Sequence, residues 1–365
     1  MRKLYLLFYL LPAITFAQQE APSGYSVDTD YFYGNILPHR KSMTHLITGH
    51  PEGLILSFNK RTFGDAEWQQ EYNYPDYGAS FLYQDMKNES LGEMYGIYGH
   101  FNFYFLQRHL MLRVGQGIAY NTNPYDKETN FRNTAYGSRL MPCPYFMLNF
   151  KEADLWQGLG VHAGMTFIHY SNGSIKAPNT STNTFAISAG VNYTFSRKEA
   201  NVYIDQQQDS VSFSQPIKYT IAFKGGMNES DIIGSGQYPY YALSLYADKR
   251  WSRKSALQVG ADIFWPTYLK EYIKFKSVSY PEEDVDADTD YKKVGLFAGY
   301  ELFINNFSAE VQAGVYVYSP FNSTGSLYQR IGLKYYACEH IFASMGLKTH
   351  AAKAEVVECG LGVRL

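Results

Sequence analysis

Phe307-Ser308-Ala309-Glu310-Val311-Gln312-Ala313-Gly314-Val315-Tyr316-Val317-Tyr318 alternates without a break. Phe307, Ala309, Val311, Ala313, Val315 and Val317 are apolar, while Ser308, Glu310, Gln312, Gly314, Tyr316 and Tyr318 fill the other parity. Strand side chains point to opposite faces in turn, so this stretch reads as a strand with one apolar and one polar face. The same pattern recurs at Phe185, Ile187, Ala189, Val191, Tyr193 and Phe195, set against Thr184, Ser188, Gly190, Asn192 and Thr194. It recurs again at the C-terminus, where Val357, Cys359, Leu361, Val363 and Leu365 stand against Glu358, Gly360, Gly362 and Arg364.

A soluble sandwich alternates in the same way, so period 2 alone leaves two readings open. Composition separates them. The chain is 17% aromatic, with 34 Tyr, 24 Phe and 30 Gly, and its mean hydropathy is −0.31 with no apolar run long enough for a spanning helix. Its first residues have a basic start (Arg2, Lys3), an apolar run from Leu4 to Phe16, and Ala17 before Gln18-Gln19. That is the form of a secretory leader cleaved near Ala17, and no Cys follows the cleavage point to carry a lipid anchor. Leader, aromatic load and repeated alternation together predict an all-β transmembrane antiparallel barrel of the bacterial outer membrane. A net charge of −2 gives no basic signal for nucleic acid. Cys143, Cys338 and Cys359 are too few for a disulfide framework; at most Cys338 and Cys359 could pair, and small packing residues is the simpler reading.

Strands are expected near 30–37, 53–62, 75–86, 94–106, 109–119, 141–151, 157–171, 184–196, 217–228, 238–250, 255–265, 293–303, 306–318, 326–337, 341–349 and 353–365, so about 14–16 in all. An even number puts both termini in the periplasm. One set of connections is mostly short (Gln107–His109, Lys249–Lys254, Asn305-Asn306, Cys338–Ile341). The other is mostly long (120–140, 172–183, 229–237, 266–292), as outer loops are. Residues 63–74 and 197–216 break the short-turn rule. The second break is polar enough to be a linker, so two smaller barrels are the alternative to the single barrel over 18–365 preferred here.

The chemistry-bearing stretch is Phe167-Ile168-His169-Tyr170-Ser171-Asn172-Gly173, followed by Pro178-Asn179 and Asn183. Val161, Ala163, Met165 and Phe167 share the parity of His169 and Ser171 and are all apolar. A base and a hydroxyl therefore end a lipid-facing row, near the outer surface in this register. Same-face strand neighbours lie roughly 7 Å apart, close enough for an imidazole to activate a hydroxyl against an ester. His162, of opposite parity, is expected to face the lumen. No cofactor motif or metal-ligand spacing is present: the acidic run Glu282-Glu283-Asp284 with Asp286, Asp288 and Asp290 lacks the Gly and spacing of a calcium loop and reads as a solvated outer loop.

His169-Tyr170-Ser171-Asn172-Gly173 with Pro178-Asn179 and Asn183 resembles the lipid A deacylase family of outer-membrane barrels, also described as acyloxyacyl hydrolases. The likeness is strongest over 159–195. It extends upstream through Tyr74-Pro75-Asp76-Tyr77-Gly78, the Tyr95–Tyr104 strand and Asn123-Pro124-Tyr125-Asp126, so the family-like part is about 74–196. The resemblance implies removal of an ester-linked acyl chain from lipid A or lipopolysaccharide of the outer leaflet, with Ser171 as nucleophile and His169 as base. It implies Asn172 and Asn179, with the turn residue Gly173, at the oxyanion and substrate-positioning site. Where the family carries Glu this chain has Asn183, whose amide can orient His169 but cannot stabilise imidazolium by charge. Strands over 217–365 have no counterpart in the resemblance.

The plainer readings are that His169 and Ser171 are rim polar groups, Gly173 a turn glycine, Asn179 an Asx-turn residue, and Asp126 and Glu128 solvated loop charges rather than substitute acids. The competing function is a non-catalytic outer-membrane barrel, either a transport pore or a surface scaffold. The inward rows named above are largely Ser, Thr, Gly, Asn and Tyr with few charges, which does not favour an ion-selective channel. Oligomeric state is not legible.

Overall fold

The computed structural model describes residues 24–38, 40–195, 203–204, 213–351 and 353–365. The expected leader and cleavage point, and most of the expected linker, lie outside the described residues. The strands are β1 (Tyr25–Ile36), β2 (Glu52–Lys60), β3 (Asp76–Asp85), β4 (Glu93–Phe105), β5 (Leu110–Asn121), β6 (Leu140–Trp156), β7 (Leu159–Tyr170) and β8 (Thr182–Thr194). After the 195–217 connection come β9 (Lys218–Asn228), β10 (Tyr238–Arg250), β11 (Ser255–Pro266), β12 (Lys293–Ile304), β13 (Phe307–Tyr318), β14 (Leu327–Cys338), β15 (Ile341–His350) and β16 (Lys353–Arg364). Each expected strand is present, and all pairs are antiparallel, between sequence neighbours except for the two pairs that close the sheet.

The sheet closes twice. β1 pairs with β8, for example Tyr31 opposite Ala189, and β9 pairs with β16, for example Ile221 opposite Val363. The single barrel is thus corrected to the alternative, two closed eight-stranded barrels. The physical reason lies at the polar 195–217 connection: β8 finds its second partner in β1 and not in β9, so the ladder ends there. Alternation cannot distinguish one closure from two, because side-chain parity is the same in either.

Long connections (37–51, 86–92, 122–139, 171–181 in the first barrel; 229–237, 267–292, 319–326 in the second) gather at one end, which is the outer end by the loop-length rule. The opposite end carries 106–109, 157–158, 251–254, 305–306 and 339–340. Residues 61–75 break the rule there because they form a short helix, α1 (Glu67–Glu71). Tyr72 of that segment donates to the carbonyl of Phe303 at 2.7 Å and Lys254 reaches the carbonyl of Glu71 at 3.0 Å, so the long turn is packed against the second barrel. A second helix, α2 (Thr267–Ser279), leads into the acidic outer loop.

The outer walls are apolar as the parity requires. Val161, Ala163 and Met165 are exposed and Phe167 half-buried, and Phe185, Ile187, Ala189 and Val191 are exposed. Ile187 is 72% and Leu361 68% accessible. At roughly 25 cal/mol per Å² of apolar surface, such bands demand a hydrocarbon surrounding. The lumens differ from the sequence reading. They are not poor in charge: Arg113, Asp28, Lys151 and Asp30, with the imidazole of His162, fill the first, and Arg330, Asp262, Glu358, Lys334, Glu301 and Glu310 the second. These charges are paired. Arg113 Nη2 lies 2.6 Å from Asp28, His162 Nε2 2.6 Å from Asp30, and Lys334 Nζ 2.7 Å from Glu310. An eight-stranded barrel is only wide enough to be filled by side chains, so paired charge here is packing. Cys143 is buried, whereas Cys338 and Cys359 are exposed, and none is in a disulfide.

Candidate active site

β7 and β8 are paired so that His169 stands directly opposite Asn183. Both have the outward parity of Phe167 and Phe185, and both are half-buried. His169 Nδ1 and Asn183 Oδ1 are 2.6 Å apart. With the amide oxygen as acceptor, Nδ1 carries the imidazole proton and Nε2 the lone pair. The sheet thus sets the tautomer, as the orienting member of a hydrolytic triad does.

Ser171 is the first residue after β7, and its hydroxyl is held by its own loop. Gly173 N–H donates to Ser171 Oγ at 3.1 Å. Asn179 Nδ2 donates to it at 3.1 Å, and its Oδ1 lies 3.2 Å away as the acceptor. Asn179 Oδ1 also accepts the backbone N–H of Asn172 at 3.0 Å. Two donors, Gly173 N–H and Asn179 Nδ2, therefore converge on Oγ. The side chain of Asn172 does not join them: it is fully buried, its Nδ2 donates to the carbonyl of Lys176 at 2.6 Å, and its Oδ1 has no partner. Asp126 is likewise elsewhere. Its Oδ1 accepts from Glu128 N, Thr129 N and Thr129 Oγ1, and those donors lower its pKa.

The second barrel braces this loop, and sequence reasoning did not find that. Buried Glu229, in the β9–β10 loop, accepts the N–H of Ala177 at 2.8 Å and that of Gly236 at 3.2 Å, and its own N–H donates to the carbonyl of Ser174 at 2.9 Å. Ser174 Oγ donates to the carbonyl of Ala354 at 2.8 Å. Glu229 carried no motif; only the pairing of two barrels brings it to Pro178-Asn179. His169, Ser171 and Asn179 then line one cleft of about 520 Å³ whose far side is Glu229, Ile331 and Leu347.

Residues 52–192 match the family described as Lipid A 3-O-deacylase (PagL), and residues 217–365 match the acyloxyacyl hydrolase C-terminal domain. The chain carries a lipid A 3-O-deacylase domain followed by an acyloxyacyl hydrolase C-terminal domain. The deacylase match covers β2–β8 of the first barrel, with β1 ahead of it. The strands over 217–365, for which the sequence resemblance offered no counterpart, are the C-terminal domain. The chain is by family an ester hydrolase, and the family implies lipid A as substrate and suggests the outer membrane. No curated protein matches the chain. Solved structures similar to it include a triple mutant of Rhodopseudomonas blastica porin (10% identity, covering 93% of this chain and 100% of that one, TM-score 0.19). Another is OccAB3 of Acinetobacter baumannii (11% identity, 93% and 98% covered, TM-score 0.22). At such TM-scores these likenesses carry no argument, and the fold of the deacylase domain rests on its own strand pairing.

Gly173 links the deacylase domain to its partner barrel. Its φ is +62°, and a Cβ built on it would lie 2.2 Å from Val357 Cγ2. A non-glycine residue in the left-handed region costs about 1–2 kcal/mol, and the contact adds to that. Gly173→Ala is expected to move the N–H off Ser171 Oγ and lower acyl release at least about tenfold, the equivalent of roughly 1.4 kcal/mol. Lipid A turnover with unchanged far-ultraviolet circular dichroism checks this. Val357→Ala in the same chain should restore part of the loss.

Proposed function

We propose that this protein sits in the outer membrane, after leader cleavage near Ala17, and cuts an ester-linked acyl chain from lipid A by a Ser171/His169 mechanism. The observation that carries the reading is the 2.6 Å contact between His169 Nδ1 and Asn183 Oδ1, because it directs Nε2 of an outward-facing imidazole toward base chemistry in the cleft that Ser171 shares. The hydroxyl proton, directed to Asn179 Oδ1 at rest, turns to His169 Nε2 as Ser171 Oγ attacks the ester carbonyl. The tetrahedral oxyanion forms beside Oγ and takes hydrogen bonds from Gly173 N–H and Asn179 Nδ2; such donors are typically worth about 3–4 kcal/mol each in the transition state. Collapse breaks the carbon–oxygen bond to the sugar, whose oxygen takes the proton back from His169. Water, deprotonated by His169, then cleaves the acyl-serine and releases the fatty acid. Asn172 contributes its backbone, which fixes Asn179, in place of the side-chain role implied by resemblance.

Mass spectrometry of lipid A from cells with and without the protein tests the function directly: a lost acyl chain is expected only with it, and identical spectra would return the chain to a non-catalytic scaffold. Asn183 allows a finer test. Asn183→Glu should raise or preserve the turnover number, because a charge-assisted bond to the imidazolium is worth about 1.5–3 kcal/mol, opposed by desolvation of the carboxylate at the lipid boundary. Asn183→Ala should lower it. A turnover number unchanged in Asn183→Ala would remove Asn183 from the mechanism.

A further inference from the structure

The three strands of the second barrel nearest the catalytic loop carry an apolar row at one height. Ile331 on β14 is opposite Leu347 on β15, and Leu347 is opposite Val357 on β16. All three have outward parity, since Arg330, Lys348 and Glu358 beside them are buried in the lumen. The row is not a uniform lipid-facing band. Val357 and Leu347 are half-buried, because they meet the catalytic loop at Gly173, where a Cβ would touch Val357 Cγ2 at 2.2 Å and Leu347 Cδ1 at 3.4 Å. Ile331, one strand further on, is 60% exposed. Leu347 and Ile331 share the cleft of about 520 Å³ with His169 and Ser171, a volume within the range of about 300–1,000 Å³ typical of ligand pockets.

The place of the row beside the catalytic loop sets the direction of a bound chain. Ser171 lies just past the outer end of β7, whereas Ile331 is four residues below the outer end of β14 and Leu347 three below that of β15. The catalytic loop comes down to this level: Gly173, whose N–H holds Ser171 Oγ, faces Val357 and Leu347, so the apolar surface starts beside the hydroxyl and runs sideways to Ile331 one strand further on, about 5 Å away. The upper rim of the same cleft is polar, with Arg40, Asp231 and Lys353. A polar mouth, a nucleophile at its edge and an apolar wall match an ester whose polar group stays at the rim and whose chain lies along the wall.

On the strength of the Ser171 reading, we propose that the C-terminal barrel supplies the acyl-chain wall of the active site: the chain of the scissile ester lies against Leu347 and Ile331, and these two residues set which chain lengths are cut. The site is therefore shared by the two barrels, and the second is a specificity element of the first.

The test uses the full chain in detergent with p-nitrophenyl butyrate and p-nitrophenyl tetradecanoate as probes. Leu347→Trp and Ile331→Trp each add a ring to the wall of the groove. Each should cut tetradecanoate hydrolysis at least tenfold relative to butyrate. Leu347→Ala, which adds no bulk, should move the same ratio measurably in a folded protein. A ratio unmoved in all three variants, or an equal loss on both probes, overturns the shared groove and leaves bulk lipid as the only occupant of the row. Ser171→Ala is run alongside and should abolish both activities. If it retains them, the Ser171 reading itself fails and takes this proposal with it, an outcome distinct from an active Ser171 with an indifferent groove.

Discussion

Ser171→Ala and His169→Ala should each abolish release of the acyl chain from lipid A while both barrels still fold. Removing a hydrolytic serine or its base lowers the turnover number by up to about 10⁶-fold, and the two losses do not add because the residues act as one unit. Residual turnover of about 10³–10⁴ over water would come from the oxyanion donors and binding. Folding is spared because both positions are at the outer end of β7 and outside the lumen packing: His169 is half-buried opposite Asn183, and Ser171 is in the loop. The measurement is time-resolved mass spectrometry of lipid A mixed with the purified variants, with circular dichroism as the folding check. Full activity in either variant would move the chemistry to another residue of the cleft.

The second large effect is on stability. Arg330→Met should destabilise the C-terminal barrel by about 3–5 kcal/mol, the usual result of leaving a buried charge without its partner. Arg330 Nε lies 2.6 Å from Glu358 and Nη1 3.1 Å from Asp262, with Gln312 Oε1 accepting at 2.7 Å. Its removal strands two carboxylates, both fully enclosed. Urea unfolding in detergent, followed by tryptophan fluorescence, reads the loss. Replacing Arg330, Asp262 and Glu358 together with apolar residues should recover much of it, because the pair is costly to break and far less costly to omit. If the single and triple variants unfold alike, the network contributes packing volume and not charge compensation.

The strands were legible in the sequence because lipid on one side and a packed lumen on the other impose a strict period of 2 on both barrels. The meeting of His169 and Asn183 was legible for the same reason: shared parity puts both on one wall, and antiparallel register brings 169 against 183; Ser171 follows the strand end, and its loop contacts with Gly173 and Asn179 were not readable from parity. Closure was not legible, since it depends on whether β8 meets β1 or β9, and both partners present the same backbone. The lumen charges were under-read because Asp28 falls before the expected start of the first strand, and because Glu310, Glu358 and Arg364, though on the polar parity, are outnumbered there by Ser, Thr, Gly, Asn and Tyr. Glu229, Leu347 and Val357 were invisible as site residues. Each is an ordinary loop or wall residue until a second barrel is set against the first, and no local pattern encodes that contact.

Because each sheet closes on itself, all the paired strands among the described residues find their neighbours within their own barrel. Among the described residues the two halves therefore meet through side chains and loop backbone, for example at Glu229, Ser174, Gly173 and Val357 on the outer side and at Tyr72, Lys254 and Arg253 on the inner. Substitutions along that seam can accumulate without disturbing a single ladder hydrogen bond. On the proposed Leu347–Ile331 wall, a change of chain-length preference would leave the folding of either barrel untouched.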